Sequence, residues 1–290
     1  SDSLSESEKM AAVSRLCTIW FINSEYSAIN DLINNSIGTA ATKRPLPLHL
    51  FLPLIYQLAA RASFDRSAAN PSHFQRTLLR LLVQLTLNFP FDCIYQLLAL
   101  RAGSGDPSSS SISTKRRKLL NSPIDLDNEA TRKSSDADLR AAAASIIIDQ
   151  SRKVPELNSN IAAIEVMVDA YIELADTAPP ESSTKNTQSS RFDFGRELKV
   201  SKLLHPLPLD SPLKQIPIPT CSSEEKQLFA GFINGYRLCG GINLPKQIYI
   251  FSEDRSPVSQ LVKGKDDVRQ DAVMEQVFLR VNRLLASDSE

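Results

Sequence analysis

Residues Gln260 to Gln276 constrain this chain more tightly than any other stretch. They read Gln-Leu-Val-Lys-Gly-Lys-Asp-Asp-Val-Arg-Gln-Asp-Ala-Val-Met-Glu-Gln. A short apolar run ends on Lys263, Gly264 interrupts it, and Asp266 or Asp267 is suited to cap a helix. The apolar period then lengthens to Val268, Ala272, Val273 and Val277. The stretch therefore predicts a strand that ends on a lysine, a tight turn, and a helix with acids in its first turns. A strand lysine facing a helix acid is how kinases hold the phosphates of ATP. The plain alternative is a charged surface turn.

The residues upstream of this stretch predict strands as well. Gln227 to Leu238 carries Leu228, Phe229, Phe232, Ile233 and Tyr236, with Gly231 and Gly235 marking turns or bulges. A glycine-containing turn, Cys239 to Pro245, precedes a strand at Lys246–Phe251. A hairpin turn at Ser252–Ser256 leads to its partner, Val258–Lys263. Strand, glycine turn, strand, turn, strand with lysine, helix is the element order of a kinase N-terminal lobe.

The first hundred residues differ in kind. Apolar side chains at Met10, Val13, Leu16, Cys17, Trp20 and Phe21 predict a helix over Glu6–Ile22 with a wide buried face. Further helices are predicted over Tyr26–Ile37 with a cap at Gly38, Leu48–Ala62 nicked at Pro53, Ser72–Leu87, and Pro90 to about Ala102. With no strand pattern among them, these predict stacked helical hairpins. Residues 104–135 are low in complexity and predict a disordered linker. Within them Lys115-Arg-Arg-Lys118 reads as solvated charge or as an import signal. Helices return at Asp136–Gln150 and, after a break at Pro155, from Asn158 or Asn160 through Leu174. Residues 177–226 predict a polar, proline-rich linker, kept extended by Pro206, Pro208, Pro212, Pro217 and Pro219. The fold class expected is mostly α, a helical hairpin array over 1–103 and a helical segment over 136–176. A partial α+β lobe over 227–290 completes it.

Composition excludes several classes. With 33 basic and 33 acidic residues the formal charge is +0, so no global field favours nucleic acid, and no direct nucleic-acid site is evident. Cys17, Cys93, Cys221 and Cys239, like His49, His73 and His205, are dispersed and spell no metal site. No apolar run reaches membrane-spanning length, and the acidic N-terminus lacks the pattern of a signal sequence.

The order apolar-Lys-x-x-Asp-Asp-Val-Arg-Gln-Asp-x-x-x-x-Gln resembles the first signature of the phosphatidylinositol-kinase superfamily. Tyr236-Arg-Leu-Cys-Gly-Gly-Ile-Asn-Leu-Pro-Lys246 resembles the glycine-rich loop of the ATM-type serine/threonine protein kinases, the phosphatidylinositol-kinase-related branch. Phe51-Leu-Pro-Leu-Ile-Tyr-Gln-Leu-Ala-Ala-Arg61 resembles the end of the helical FAT domain of that branch. Leu157 to Asp176 resembles the segment joining FAT to kinase.

The resemblance implies roles. Lys263 is the ATP-phosphate lysine, Asp271 the acid that orients it, and Asp266 a further acid behind the nucleotide. Leu238, Cys239, Gly240, Gly241, Ile242, Asn243 and Leu244 fold over the phosphates through backbone amides, and Pro245 and Leu261 line the adenine site. Glu275, one turn beyond Asp271, is an alternative partner for Lys263. The cofactors implied are ATP and Mg²⁺. The family's Gly-x-Asp-Arg-His-x-x-Asn catalytic loop and its metal ligands are not found in these 290 residues. Phe192-Asp-Phe-Gly195 carries the letters of the metal-binding motif, but ahead of the lobe. The expectation is a piece of a DNA-damage kinase, incomplete and inactive alone. Its parent acts in the nucleus on protein substrates, as a homodimer recruited by a break-sensing complex at DNA ends. Two other readings compete: a non-catalytic helical interaction protein with a degenerate nucleotide-binding remnant, and a lipid kinase. The FAT-like helices count against the second.

Overall fold

A computed structural model describes residues 6–37, 46–65, 71–102, 135–178, 191–219, 226–240, 244–264 and 268–287. Gly38, the basic cluster at 115–118, Cys221, Gly241–Asn243 and Asp266 lie outside them. The chain divides into two compact units, Ser1–Asn158 and Ser159–Glu290.

The first unit is helical. Helices α1 (Glu6–Ile22) and α2 (Ser27–Ser36) are followed by a 3₁₀ turn at Leu48–Leu54, then α3 (Ile55–Arg61), α4 (His73–Asn88), α5 (Pro90–Ala102) and α6 (Asp136–Ser151). Pro53 sits inside the 3₁₀ turn, where the α-helical hydrogen-bond ladder has not begun, so α3 starts two residues later. The centre is α4. Thr77, Leu78, Leu81, Leu82, Leu85 and Thr86 are buried along one stripe, and α4 touches α2, α3, α5 and α6. Helix α6 is capped by a box in which Ser135 and Asp138 bond each other's backbone N–H. Its alanine run, favourable to helix by propensity, has a packing role: buried Ala141, Ala143 and Ala144 let α6 lie close on α5.

Helix α1 buries a narrower stripe than its apolar pattern predicts. Val13, Cys17 and Trp20 are buried, whereas Met10, Leu16 and Phe21 are only half-buried. Burial pushes the Cys17 thiol up to about 11, which leaves it protonated and unreactive at neutral pH. Trp20 Nε1 donates to Asn30 Oδ1 at 2.8 Å, and Asn30 Nδ2 donates to the Ser24 carbonyl at 2.8 Å. The rings of Trp20 and Phe74 meet edge to face at 5.2 Å, so the indole sits among apolar neighbours with one polar outlet.

The second unit contains most of helix α7 (Pro155–Asp176), whose first residues fall in the first unit, and a five-stranded antiparallel sheet. The sheet comprises β1 (Arg191–Phe192), β2 (Phe229–Phe232), β3 (Tyr236–Leu238), β4 (Lys246–Ser252) and β5 (Pro257–Val262). Helix α8 (Val268–Ser287) follows. Strand β4 is the spine: β3 and β2 pair along one side of it and β5 along the other. Its burial alternates, with Lys246, Ile248, Ile250 and Ser252 inside and Gln247, Tyr249 and Phe251 half-exposed. At Gly231 φ is +133°, and an added Cβ would lie 2.6 Å from the backbone nitrogen of His205. That glycine lets the bulged β2 take His205 alongside, where the His205 N–H donates to the Phe232 carbonyl.

Two expectations are corrected here. Pro155 does not precede a helix beginning at Asn158; it is the first residue of α7, where its missing N–H costs no helical bond. Residues 191–219 are also more than an extended linker. They form β1, 3₁₀ turns at Lys199–Leu203 and Pro212–Gln215, and an extended piece whose Pro217 bridges Leu228. Phe194, Val200, Leu203, Leu207, Leu213, Ile216 and Ile218 are buried. The Phe192–Gly195 letters belong to this sheet edge, with Phe194 stacked on Tyr236 at 6.1 Å.

Substituting Asn30→Ala strands the Trp20 indole N–H without a partner in an apolar pocket. A loss of about 2–3 kcal/mol follows, read from urea unfolding of the chain by tryptophan fluorescence. A change below about 0.5 kcal/mol contradicts the assignment.

Candidate functional site

The pairing register decides which loops meet. Leu238 of β3 stands opposite Lys246 of β4, and Lys246 opposite Val262 of β5. One row across three strands thus ends β3, begins β4 and ends β5. The glycine turn leaves the sheet after Leu238 and returns before Lys246, and Lys263 follows Val262. Turn and lysine therefore emerge at the same end of the sheet.

Among the described residues of that turn, the Cys239 N–H donates to the Pro245 carbonyl at 2.7 Å. This bond closes the turn and commits one amide to the turn itself. Leu244 has φ of +42°, the left-handed region that a leucine seldom occupies. Such strain costs about 1–3 kcal/mol and concentrates where backbone must approach a ligand or switch. Leu238 is buried on the same face as Lys246, so its side chain lies across the sheet from Leu261, which is 51% exposed.

Lys263 is among the residues that line an open cleft of about 620 Å³ along β5. Val258–Lys263, Tyr171, Ile172 and Ala175 of α7, Pro219, and Glu275 of α8 line it. Lys263 Nζ lies 2.5 Å from Asp271 Oδ2. Asp271 is in the first turn of α8, where a carboxylate also favours the helix dipole. Both side chains are partly open to solvent, so the pair adds little stability and instead holds the ammonium in one direction. Glu275 lines the same cleft one turn on. The structure brings Leu261, Lys263, Asp271 and Glu275 together, with the ends of the glycine turn emerging at the same end of the sheet.

A residue that the motifs do not single out lies behind them. Lys246 is 4% exposed, and its Nζ donates to the Ala175 carbonyl in the last turn of α7 at 3.2 Å. Burial lowers its pKa, and the charge of Asp176 works in the opposite direction. The sequence signal was there: Lys246 is in phase with Ile248 and Ile250, on the buried alternation of β4.

The far end of the hairpin is fixed by Asp254, whose carboxylate accepts from the hydroxyls of Ser252 and Ser256 and from the Ser256 N–H. These bonds hold its pKa at about 2, below the ordinary 3.8. Among the described residues, no three His, Cys, Asp or Glu side chains gather as a metal site.

This is the sheet-and-helix layout of the upper lobe of a protein kinase, preceded by a helical array. The chain is similar to the serine-protein kinase ATM of Sus scrofa, 30% identical over 277 residues that make up 95% of this chain and 8% of that protein. It is 29% identical over 284 residues to ATM of Arabidopsis thaliana, covering 96% of this chain and 6% of that protein. To tel1 of Schizosaccharomyces pombe it is 28% identical over 293 residues, covering 98% and 9%. These homologues are serine/threonine-protein kinases, and this chain spans less than a tenth of their length. Among solved structures it matches the FAT and kinase domain of CtTel1 with a TM-score of 0.66 at 20% identity, covering 98% of this chain and 17% of that one. A complete CtTel1 dimer with C2 symmetry matches at a TM-score of 0.65 and 20% identity, covering 98% and 9%. The fold is thus a FAT-type helical array followed by part of a kinase N-lobe. No family model matches the chain.

The depressed pKa of Asp254 sets a pH dependence. Its contribution is complete above the ordinary carboxylate range and is lost as pH falls from about 4 through about 2. Asp254→Asn therefore flattens acid unfolding in that window and leaves the rest of the curve in place, measured by circular dichroism across pH. An unchanged acid limb contradicts the role given to Asp254.

Proposed function

We propose that these residues are a segment of an ATM/Tel1-type kinase that transfers the γ-phosphate of ATP to serine or threonine of proteins in DNA-damage signalling. Residues 1–103 correspond to the end of the FAT-type array, 136–176 to the joining segment, and 227–290 to part of the N-lobe. The observation that carries this reading is the Lys263–Asp271 pair at 2.5 Å, at the sheet end where the glycine turn emerges.

In phosphoryl transfer the protein positions the phosphates and neutralises their charge, because the transferred group is loosely bonded in flight. Lys263 supplies a cation from a strand end, and Asp271 restricts its rotamers so that little reorganisation is needed when nucleotide arrives. Leu261 offers an exposed apolar surface for the adenine, the Pro245 carbonyl closes the described ends of the glycine turn, and the resemblance assigns the backbone amides of Leu238 to Leu244 to the phosphates. The resemblance assigns a further acid of the site to Asp266, which lies outside the described residues. The catalytic-loop motif is not within the 290 residues. This segment therefore holds one half of an active site and alone transfers no phosphate. The C2 dimer reported for CtTel1 supports a homodimeric parent. A nuclear place of action and recruitment by a break-sensing complex at DNA ends follow from the likeness to ATM and Tel1.

In the complete protein, Lys263→Met abolishes phosphoryl transfer to a protein substrate, by at least about 100-fold in kcat/KM, with unchanged yield of folded protein. Normal transfer by that variant contradicts the role proposed for Lys263, whereas no transfer by the unsubstituted complete protein favours a non-catalytic helical protein with a nucleotide-binding remnant.

A further inference from the structure

Helix α7 meets the sheet and its β5 end through Tyr171 and Ala175, and two of these contacts bracket Lys263. Tyr171 Oη donates to Gln260 Oε1, three residues before the lysine. Gln260 Nε2 in turn donates to the Pro219 carbonyl at 3.0 Å. The ring of Tyr171 also meets Phe232 edge to face at 5.6 Å.

The second bracket lies one residue after the lysine. A Cβ built on Gly264 would stand 2.4 Å from the carbonyl oxygen of Ala175 and 3.1 Å from its carbonyl carbon. No side chain can rotate away from such a clash, because the obstacle is backbone. Any residue but glycine must move the end of α7 or the end of β5. The same Ala175 carbonyl accepts from Lys246 Nζ at 3.2 Å. It belongs to the last turn of a 22-residue helix, where unsatisfied carbonyls carry partial negative charge. A buried ammonium there both satisfies the carbonyl and fixes its place.

We propose that Gly264 and Lys246 are positioning residues. Together they clamp the Ala175 carbonyl of α7 against the end of β5 and so set the direction from which Lys263 reaches the phosphates. This rests on the nucleotide-site reading above and deepens it. Neither residue touches nucleotide. Lys246 faces the buried side of the sheet, and Gly264 has no side chain. Displacing the α7 terminus by the ångström or so that a Cβ demands moves the backbone on which the catalytic lysine stands. A misplacement of about 1 Å far from the chemistry can cost about 100-fold in rate.

The test uses the full-length kinase and four variants: Gly264→Ala, Lys246→Met, Lys246→Arg and Lys263→Met. Gly264→Ala is expected to lose about 100-fold in kcat/KM for ATP while KM for the protein substrate stays within about two-fold. Lys246→Met is expected to lose activity in the same direction, and Lys246→Arg, which keeps a cationic donor, to recover part of it. Hydrogen–deuterium exchange over residues 258–266 is expected to rise in Gly264→Ala and Lys246→Met, a readout that needs no activity. Unchanged exchange together with ATP kinetics within about two-fold of the parent overturns the clamp. So does a loss confined to folded yield, with normal kinetics per folded molecule. If Lys263→Met keeps activity, the nucleotide-site reading fails instead, and the exchange result alone still decides whether the clamp exists.

Discussion

The second unit depends on the register of β4 with β3 on one side and β5 on the other. Lys246 stands opposite both Leu238 and Val262. A slip of one residue on either side would put Ile248 and Ile250 on the open face and carry the buried alternation of β4 out of the core. With the register fixed, the glycine turn and Lys263 share one end of the sheet, and a 263-to-271 pair is within reach of the first turn of α8. Local sequence supplies the residues, and the ladder supplies their meeting.

The same register divides the sheet into two faces with different tasks. Ile248 and Ile250 are fully buried, and Lys246 reaches α7. On the opposite face Gln247, Tyr249 and Leu261 remain partly exposed, and Gln247 Nε2 donates to Ser259 Oγ at 3.0 Å. An antiparallel sheet with one covered face can present the other to a ligand or to further polypeptide. The chain spans less than a tenth of the length of the two ATM relatives described above.

Much of the helical unit was legible because its signals are local. The 3.6-residue period, Pro53 and Pro90 set elements within a residue or two of where they lie. The strands β4 and β5 were legible from alternation and from the turn at Ser252–Ser256. Residues 191–219 were not, because their buried side chains, such as Val200, Leu203 and Leu207, fall in short irregular turns with no sustained period. Prolines there read as spacers, and only tertiary contact shows them inside a packed edge. In the site, Lys263 and Asp271 lie eight residues apart and are readable as a motif. The Lys246–Ala175 bond joins residues 71 apart, and the need for glycine at 264 arises from a carbonyl 89 residues earlier in the chain. No window of sequence contains either fact.

In the proposed site Lys263 faces the phosphates of ATP. An acyl-phosphate derivative of ATP delivers its acyl group to a lysine amine lying beside the bound phosphates, so the labelled residue reports the site directly. Applied to the full-length protein and mapped by mass spectrometry, it is predicted to modify Lys263, to be blocked by excess ATP, and to spare the buried Lys246. Labelling scattered over surface lysines, insensitive to ATP, would contradict the account.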